Sequence, residues 1–233
     1  MTIKFTLLGT GSSMGVPRAD GFFGNCNPKN PKNLRTRCSA LISANKSNTL
    51  IDTSPDLRAQ LLSQKIKSID RILYTHMHAD QTHGINDLRI FYLKNKKKIP
   101  VYADLNTSRY LKKTFSYCFK KTYDYPAILE LKSLKKNFNI GKKKKPINIK
   151  SIAVKHGSID SIAYIINKKV AYLSDANKIY DKNINDFKGL KYLIIDCLRF
   201  KEHVAHFNLR DILKIVLLLN PKKCILTNLH SDL

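Results

Sequence analysis

A short apolar run ends in a cluster of metal-binding side chains, and this junction limits the possible folds more than any other feature. RILYT, at 71–75, has the composition of a buried strand, and HMHADQTHG follows it at 76–84. His76 and His78 are two residues apart, so their side chains point the same way in extended backbone. Asp80 then opens a loop that leads into a helix. Ligands at the exit of a strand are held by the sheet and remain open to substrate, which favours a catalytic site over a chance surface loop.

Other residues of the same chemical types follow predicted strands elsewhere in the chain. His156 follows INIKSIAVK, Asp175 ends KVAYLSD, and His230 follows KKCILTN. Each residue alone would be unremarkable. Together with the first cluster they form a set that one sheet edge can gather, and we expect them to share a site.

Short β-rich runs alternate with amphipathic helices along the whole chain. The predicted strands are 3–9, 39–44, 48–53, 71–75, 99–103, 147–155, 161–167, 169–175, 191–197 and 222–228. The predicted helices are 54–64, 83–93, 104–118 and 208–219, the first with Ser54 as its cap and Pro55 in its first turn. Strands outnumber helices, which predicts an α/β protein with sheets packed face to face and helices outside. A length of 233 residues predicts a single domain over 1–233.

The chain is strongly basic, with 42 Lys and Arg against 17 Asp and Glu and a formal net charge of +25. Such a field attracts polyanions and phosphate esters. Lysine on solvated faces is ordinary, however, so nucleic acid is the less favoured partner. For the same reason we interpret the lysine-rich segment 135–146 as a solvated hairpin tip rather than a polyanion-binding arm.

Cysteine content and hydropathy bear on the compartment. Five cysteines are an odd number without framework spacing, which indicates a reducing compartment. The longest apolar run near the start, FTLLG, is too short for a membrane span or a signal peptide. We therefore expect a cytoplasmic protein with no membrane partner. The oligomeric state stays open, with a dimer as one option.

Several segments carry a resemblance to a known family. HMHADQTHG resembles the HxHxDH motif of the metallo-β-lactamase fold. The segments that narrow the resemblance are LGTGSSMGVPR (8–18), GNCNPKNPKNLRTRCS (24–39), GINDLR (84–89) and TNLHSDL (227–233). They resemble the branch that contains phosphoribosyl 1,2-cyclic phosphate phosphodiesterase. The resemblance implies an αββα sandwich with a two-metal site at one edge of the packed sheets. Relatives carry a few residues beyond the position of Leu233, so we expect a shortened C-terminus.

The resemblance also implies a ligand set. Its members are His76, His78 and His156 for the first ion, Asp80, residue 81 and His230 for the second, and Asp175 as the bridge. The family has histidine at position 81, whereas this chain has Gln81. A neutral amide oxygen is a weaker and harder ligand than imidazole. His83 is a poor substitute because it faces another way. We expect zinc or manganese, one ion firmly bound and a second more weakly, with Gln81 as an optional ligand.

The implied chemistry is attack of a metal-activated hydroxide on phosphorus, with Asp80 as a catalytic residue of the metal site. The departing oxygen needs a proton donor. His206, in VAHFNLRD, has the position of such a histidine in related phosphodiesterases, and His203 is the nearby alternative. Arg18, in TGSSMGVPR, and His203 are the candidates for contact with the substrate.

Three functions are compatible with these features. The leading interpretation is a metal-dependent phosphodiesterase that cleaves a small cyclic or nucleotide-like phosphodiester. The second is an RNA-processing hydrolase resembling ribonuclease Z, which would use the positive charge. The third, from another class, is a degenerate phosphate-binding protein with a weakened second metal site. The GVPR and TNLHSDL segments favour the small-substrate branch.

Overall fold

The computed structural model describes residues 3–141 and 146–233, which fall into two compact units. The first unit contains residues up to Gly9 together with Cys38–Leu134, and the second contains Thr10–Arg37 together with Lys135–Leu233.

The first unit is built on a mixed six-stranded sheet. Its strands are β1 (Lys4–Gly9), β2 (Ser39–Ala44), β3 (Ser47–Ile51), β4 (Arg71–Leu73), β5 (Ile99–Ala103) and β6 (Leu129–Ser133), and they lie in that order across the sheet. The pairs β1–β2 and β2–β3 are antiparallel, whereas β3–β4, β4–β5 and β5–β6 are parallel. Its helices are α1 (Leu57–Ser63), α2 (Ala79–Thr82), α3 (Arg89–Asn95), α4 (Leu105–Thr114) and α5 (Ser116–Phe119).

The parallel register of the first sheet positions candidate site residues. Ile51 at the end of β3 is opposite Leu73 at the end of β4, so the chain leaves both strands at the same edge. A core that includes Ile72, Tyr74 and Val101, each fully buried, holds this edge in place. The segments that follow the two strands therefore start side by side.

The second unit has a mixed six-stranded sheet of its own. Its strands are β7 (Asn137–Ile140), β8 (Ile147–His156), β9 (Ile159–Ile166), β10 (Val170–Leu173), β11 (Tyr192–Asp196) and β12 (Lys223–Thr227), and their order is β12-β11-β10-β9-β8-β7. The pairs from β7 to β10 are antiparallel, and β10–β11 and β11–β12 are parallel. The helix α6 (Leu209–Leu219) packs its Ile212 and Leu219 into the core of this unit.

Parallel pairing gathers polar residues at one edge of the second sheet as well. Asp196, the last residue of β11, is opposite Thr227, the last residue of β12. The neighbouring strand β10 ends at Leu173, directly before Ser174 and Asp175. The carboxyl ends of three adjacent strands thus carry the polar side chains of this unit to one place.

The ten strands predicted from the pattern are all present, with ends shifted by a few residues. Two strands were not predicted. β6 has an alternating and largely exposed pattern, and β7 lies within the segment interpreted as a lysine-rich turn. Ile140 of β7 pairs with Ile147 of β8, which agrees with a hairpin, while residues 142–145 of the predicted tip lie outside the described residues.

The predicted helices are present in shortened or divided form. Segment 83–93 contains a 3-10 turn, Ile85–Leu88, before α3, and segment 104–118 divides into α4 and α5. The predicted cap at Ser54 is wrong, because α1 begins only at Leu57. The Ser54 hydroxyl instead accepts a hydrogen bond from the Asp56 amide and shapes the turn before the helix.

None of the helices in residues 3–141 and 146–233 has both the length and the apolar composition needed to cross a bilayer.

Candidate metal centre

Two histidines of the first unit form a pair shortly after the end of β4 at Leu73. The His76 Nε2 atom lies 3.0 Å from the His78 Nδ1 atom, and the two rings meet edge to face. Nitrogen ligands 2.0–2.1 Å from a tetrahedral zinc ion lie about 3.3 Å apart. The pair therefore needs only a small separation to place both nitrogen atoms on one metal ion.

A buried carboxylate that the sequence did not single out determines the orientation of His76. Asp52 accepts hydrogen bonds from the Thr75 amide at 2.7 Å and from the Thr75 hydroxyl at 2.9 Å. The Thr75 hydroxyl is thus committed as a donor to Asp52, so His76 Nδ1–H donates to Thr75 Oγ1 over 3.1 Å. The proton on Nδ1 leaves the lone pair on Nε2, which is the tautomer that a metal ligand needs.

Position 81, where the resemblance implies a ligand, carries a fully buried glutamine. The Gln81 side chain donates from Nε2 to Asp80 Oδ2 over 3.0 Å, so the nitrogen end of the amide faces the carboxylate. His83 points elsewhere, as expected. Its ring lies 5.5 Å from that of Phe115, and its Nε2 atom is 3.2 Å from the Tyr110 hydroxyl.

In the second unit, possible ligand atoms of His156, Asp175 and His206 all lie within 4.8 Å of one another. His156 is the last residue of β8, and its Nδ1–H donates to the Ala205 carbonyl over 2.8 Å. As with His76, this bond leaves the Nε2 lone pair for a metal ion. The chain turn at Gly157, with φ of +58°, lies close to Ala205, so that a Cβ at position 157 would be 3.0 Å from the Ala205 Cβ atom.

The side chain of His206 is held by a second buried carboxylate that sequence reasoning missed. His206 Nδ1–H donates to Asp196 Oδ2 over 2.6 Å, and the Ala176 amide donates to the same oxygen over 2.9 Å. Burial raises the pKa of Asp196 to about 7, and the hydrogen bond from His206 opposes that rise. The short bond directs the Nε2 atom of His206 away from Asp196, as in a catalytic His–Asp pair.

Asn228 connects the two carboxylates of the second unit. Its Nδ2 atom lies 3.2 Å from Asp175 Oδ1 and 3.2 Å from Asp196 Oδ1, and the residue is buried. Both contacts are donor to acceptor. The same Nδ2 atom lies 3.1 Å from His206 Nδ1. These two nitrogen atoms are close because both donate to the Asp196 carboxylate, and they do not bond to each other.

The remaining predicted site residues lie in the second unit but differ in their surroundings. The His203 ring is 5.0 Å from that of His206, and burial lowers the pKa of His203. His230 Nδ1 is 3.3 Å from Asp232 Oδ2, and His230 is not in the group around Asp175. The Arg18 guanidinium is half-exposed and forms an ion pair with Asp20 in its own loop. The assignments of these three residues stay predictions.

Comparison with known proteins defines the class. The family model described as a beta-lactamase superfamily domain matches residues 47–228. The chain therefore belongs to the metallo-β-lactamase superfamily, and the predicted α/β fold class is confirmed.

Three individual proteins are similar to this chain. A diphosphatase of the PhnP family, known from its crystal structure, is 32% identical, with a TM-score of 0.89 over 100% of this chain and 88% of its own. The short form of human tRNase Z is 18% identical, with a TM-score of 0.70 over 98% of this chain and 93% of its own. An octanoyltransferase from Porphyromonas gingivalis (strain ATCC BAA-308 / W83) is 32% identical over 206 residues, 88% of this chain. The match spans only 41% of that octanoyltransferase.

Proposed function

We propose that this protein is a metal-dependent hydrolase of a phosphoester bond in a small molecule, and specifically a phosphodiesterase. The observation that carries the proposal is the orientation of the histidines. The Nδ1–H groups of His76 and His156 are engaged by Thr75 and Ala205, so both imidazoles present Nε2 as a ligand. Fixing a histidine through its other nitrogen is the usual arrangement in metal sites. Membership of the superfamily and the similarity to a diphosphatase over the whole chain support the reaction class.

By their chemistry alone, the ligands that the resemblance implies for the first ion suit a divalent metal. His76, His78 and His156 are the ligands that the family resemblance assigns to it, and an all-imidazole set suits zinc, with manganese as the alternative. A bound ion of this kind supplies a Lewis acid and a water that ionises near neutral pH.

Free thiols at all five cysteines support a reducing, cytoplasmic location for such an enzyme.

His206 is the proton donor to the departing oxygen in this proposal. Asp196 orients its ring through Nδ1 and stabilises the protonated form, which leaves Nε2–H to be donated. His203, with its ring beside that of His206, is the candidate for contact with the leaving half of the substrate. Arg18 would bind a phosphate oxygen after exchanging its partner Asp20 for the substrate.

A phosphoanhydride is the second candidate substrate. The similar PhnP-family protein is a diphosphatase, and its similarity covers the whole of this chain. Phosphodiesters and diphosphates share the same requirement, namely displacement at phosphorus with a proton for the leaving oxygen. RNA processing is a weaker candidate, because likeness to human tRNase Z at 18% identity concerns the fold. Octanoyl transfer is not proposed, since most of that relative has no counterpart here.

The experiment is a substrate panel with protein stripped of metal and reloaded with zinc or manganese. The panel contains cyclic phosphodiesters, linear phosphodiesters, dinucleoside diphosphates and a structured RNA. His78→Ala is the inactive reference, and His83→Ala is the matched control, because the His83 side chain contacts Phe115 and Tyr110. We expect turnover of a small diester that His78→Ala abolishes and His83→Ala retains.

Three other results of the substrate panel would each favour a different function. Faster turnover of diphosphates than of every diester would replace the phosphodiesterase by a diphosphatase. Preference for structured RNA would favour the ribonuclease Z-like function. Phosphate binding without turnover of any substrate would contradict a hydrolase and favour the degenerate binding protein.

A further inference from the structure

Both carboxylates that the resemblance assigns to the second metal ion face the nitrogen end of a carboxamide. In the first unit, Gln81 Nε2 lies 3.0 Å from Asp80 Oδ2. In the second unit, Asn228 Nδ2 lies 3.2 Å from Asp175 Oδ1. The two arrangements occur in different units and on different elements. They share the same chemistry, an amide N–H donated to a carboxylate.

The orientation of these amides follows from electrostatics. An amide oxygen placed 3.0 Å from a carboxylate oxygen would bring two acceptors together, whereas the N–H end provides a donor. An amide that donates to Asp80 turns its oxygen to another direction, so Gln81 acts on its neighbour as a hydrogen-bond donor. Asn228 does the same toward Asp175, and it also donates to Asp196.

The second ion would therefore lack imidazole ligands where they are needed. A site for two ions about 3.5–4 Å apart requires a full donor set for each ion. Position 81 supplies an amide that is engaged with Asp80. The side chain that meets Asp175 from the end of β12 is Asn228, and His230 stands outside that group, beside Asp232. The amide N–H groups that Gln81 and Asn228 direct at Asp80 and Asp175 therefore do not fit a second ion.

We propose that this protein binds a single metal ion, and that Gln81 and Asn228 stabilise Asp80 and Asp175 by hydrogen bonds in place of a second ion. The inference rests on the metal centre of the proposed function and not on its substrate. It replaces the expected weak second site by two carboxamide groups with a structural role. Asn228, which sequence reasoning did not single out, is as important in this arrangement as Gln81.

Placing an imidazole at position 81, at position 228 and at both together tests the proposal. Asn228 has φ of +61°, a left-handed conformation in which histidine is tolerated better than most residues. The variants are Gln81→His, Asn228→His and the double variant. Gln64→His, at an exposed position, is the control for an added histidine in the first unit. Asn220→His is the matched control in the second unit, because Asn220 is also left-handed, with φ of +47°, and exposed.

The measurement is zinc stoichiometry by native mass spectrometry, with affinities from competition against a chromogenic chelator. We expect one zinc ion per chain in the wild type and in both controls. One well-placed ligand or its supporting partner changes metal affinity by about 10–100-fold. Each single variant should therefore gain about 10-fold in affinity for a second ion, and the double variant about 100-fold or more, enough to hold two.

The wild-type stoichiometry tests the proposal even if a variant fails to fold. Two zinc ions held with similar affinity by the wild type would overturn it. So would a double variant that folds, as judged by circular dichroism, and still binds one ion. Failure of the proposed function would give a different result. A protein that binds one zinc ion and turns over no phosphoester would contradict the proposed function and would leave the single-ion proposal standing.

Discussion

Replacement of Asp196 by asparagine tests whether His206 is a proton donor oriented by this carboxylate. Asparagine has the same shape and can keep one hydrogen bond to the ring, but it removes the negative charge that stabilises protonated His206. It can also turn its N–H toward Nδ1 and so favour the wrong tautomer. We expect the loss to depend on the leaving group, because a proton donor matters only where the departing oxygen is basic.

The expected magnitude follows from the short contact. The bond from His206 to Asp196 measures 2.6 Å and involves a carboxylate. Hydrogen bonds to charged groups contribute about 1.5–3 kcal/mol. At about 1.36 kcal/mol for each factor of ten, turnover should fall roughly 10- to 150-fold for alkyl leaving groups. A diester that releases p-nitrophenolate, which departs without a proton, should lose less than about threefold, since general acid catalysis contributes little there.

The assay measures kcat on phosphodiesters that share one half and differ in the leaving alcohol. Asp160→Asn is the matched control, because Asp160 also accepts a 2.6 Å hydrogen bond, from the Tyr180 hydroxyl, at an exposed position of the same unit. It should behave as the wild type. Equal losses for every leaving group would refute the positioning role of Asp196, because they would indicate general damage to the site. Unchanged rates throughout would refute the claim that the proton donor depends on Asp196.

Three further predictions concern metal affinity, backbone strain and salt. Asp52→Asn should lower the affinity for the first zinc ion by about 10–100-fold in chelator competition, because Asp52 orients His76 through Thr75. Unchanged affinity would show that the Asp52 carboxylate is dispensable. Gly157→Ala should lower the free energy of unfolding by about 1–2 kcal/mol because of the positive φ at this position. The loss should be larger than for Gly189→Ala, which also has a positive φ, because the new Cβ at position 157 would lie 3.0 Å from Ala205 Cβ, whereas Gly189 has open space around it. Equal shifts in denaturant titrations of the two variants would contradict the close contact. Turnover of a small diester should change little between low and moderate salt, whereas RNA bound across many phosphates weakens by about 10³-fold or more, so a steep loss would favour RNA as the substrate.

The strands and the histidine pair were predictable because they depend on local sequence. β-branched and aromatic runs of four to eight residues identify strands without knowledge of their partners. His76 and His78 are two residues apart, so their shared direction follows from backbone geometry alone. Two strands, β6 and β7, were not predicted for the same reason. They are short and largely exposed, and they are stabilised by pairing with neighbouring strands and not by a local apolar pattern.

The residues that support the site could not be predicted, because the contacts that define them are distant in sequence. Asp52 meets Thr75 across 23 positions through the parallel register of β3 and β4. Asn228 meets Asp196 across 32 positions where β11 and β12 end together. Aspartate and asparagine after a strand are common, so neither carries a signal of its own until the sheet brings its partner beside it.

Gln81 shows most clearly what the sequence determines and what only the tertiary structure determines. The sequence by itself established that position 81 is an amide where the resembled family has an imidazole, and from this we predicted an altered second metal site. It could not establish which end of the amide faces Asp80, because the two ends are nearly equal in size and differ only in the partners they accept. The tertiary structure decided this by burying Gln81 beside a carboxylate, where only the N–H end forms a favourable contact.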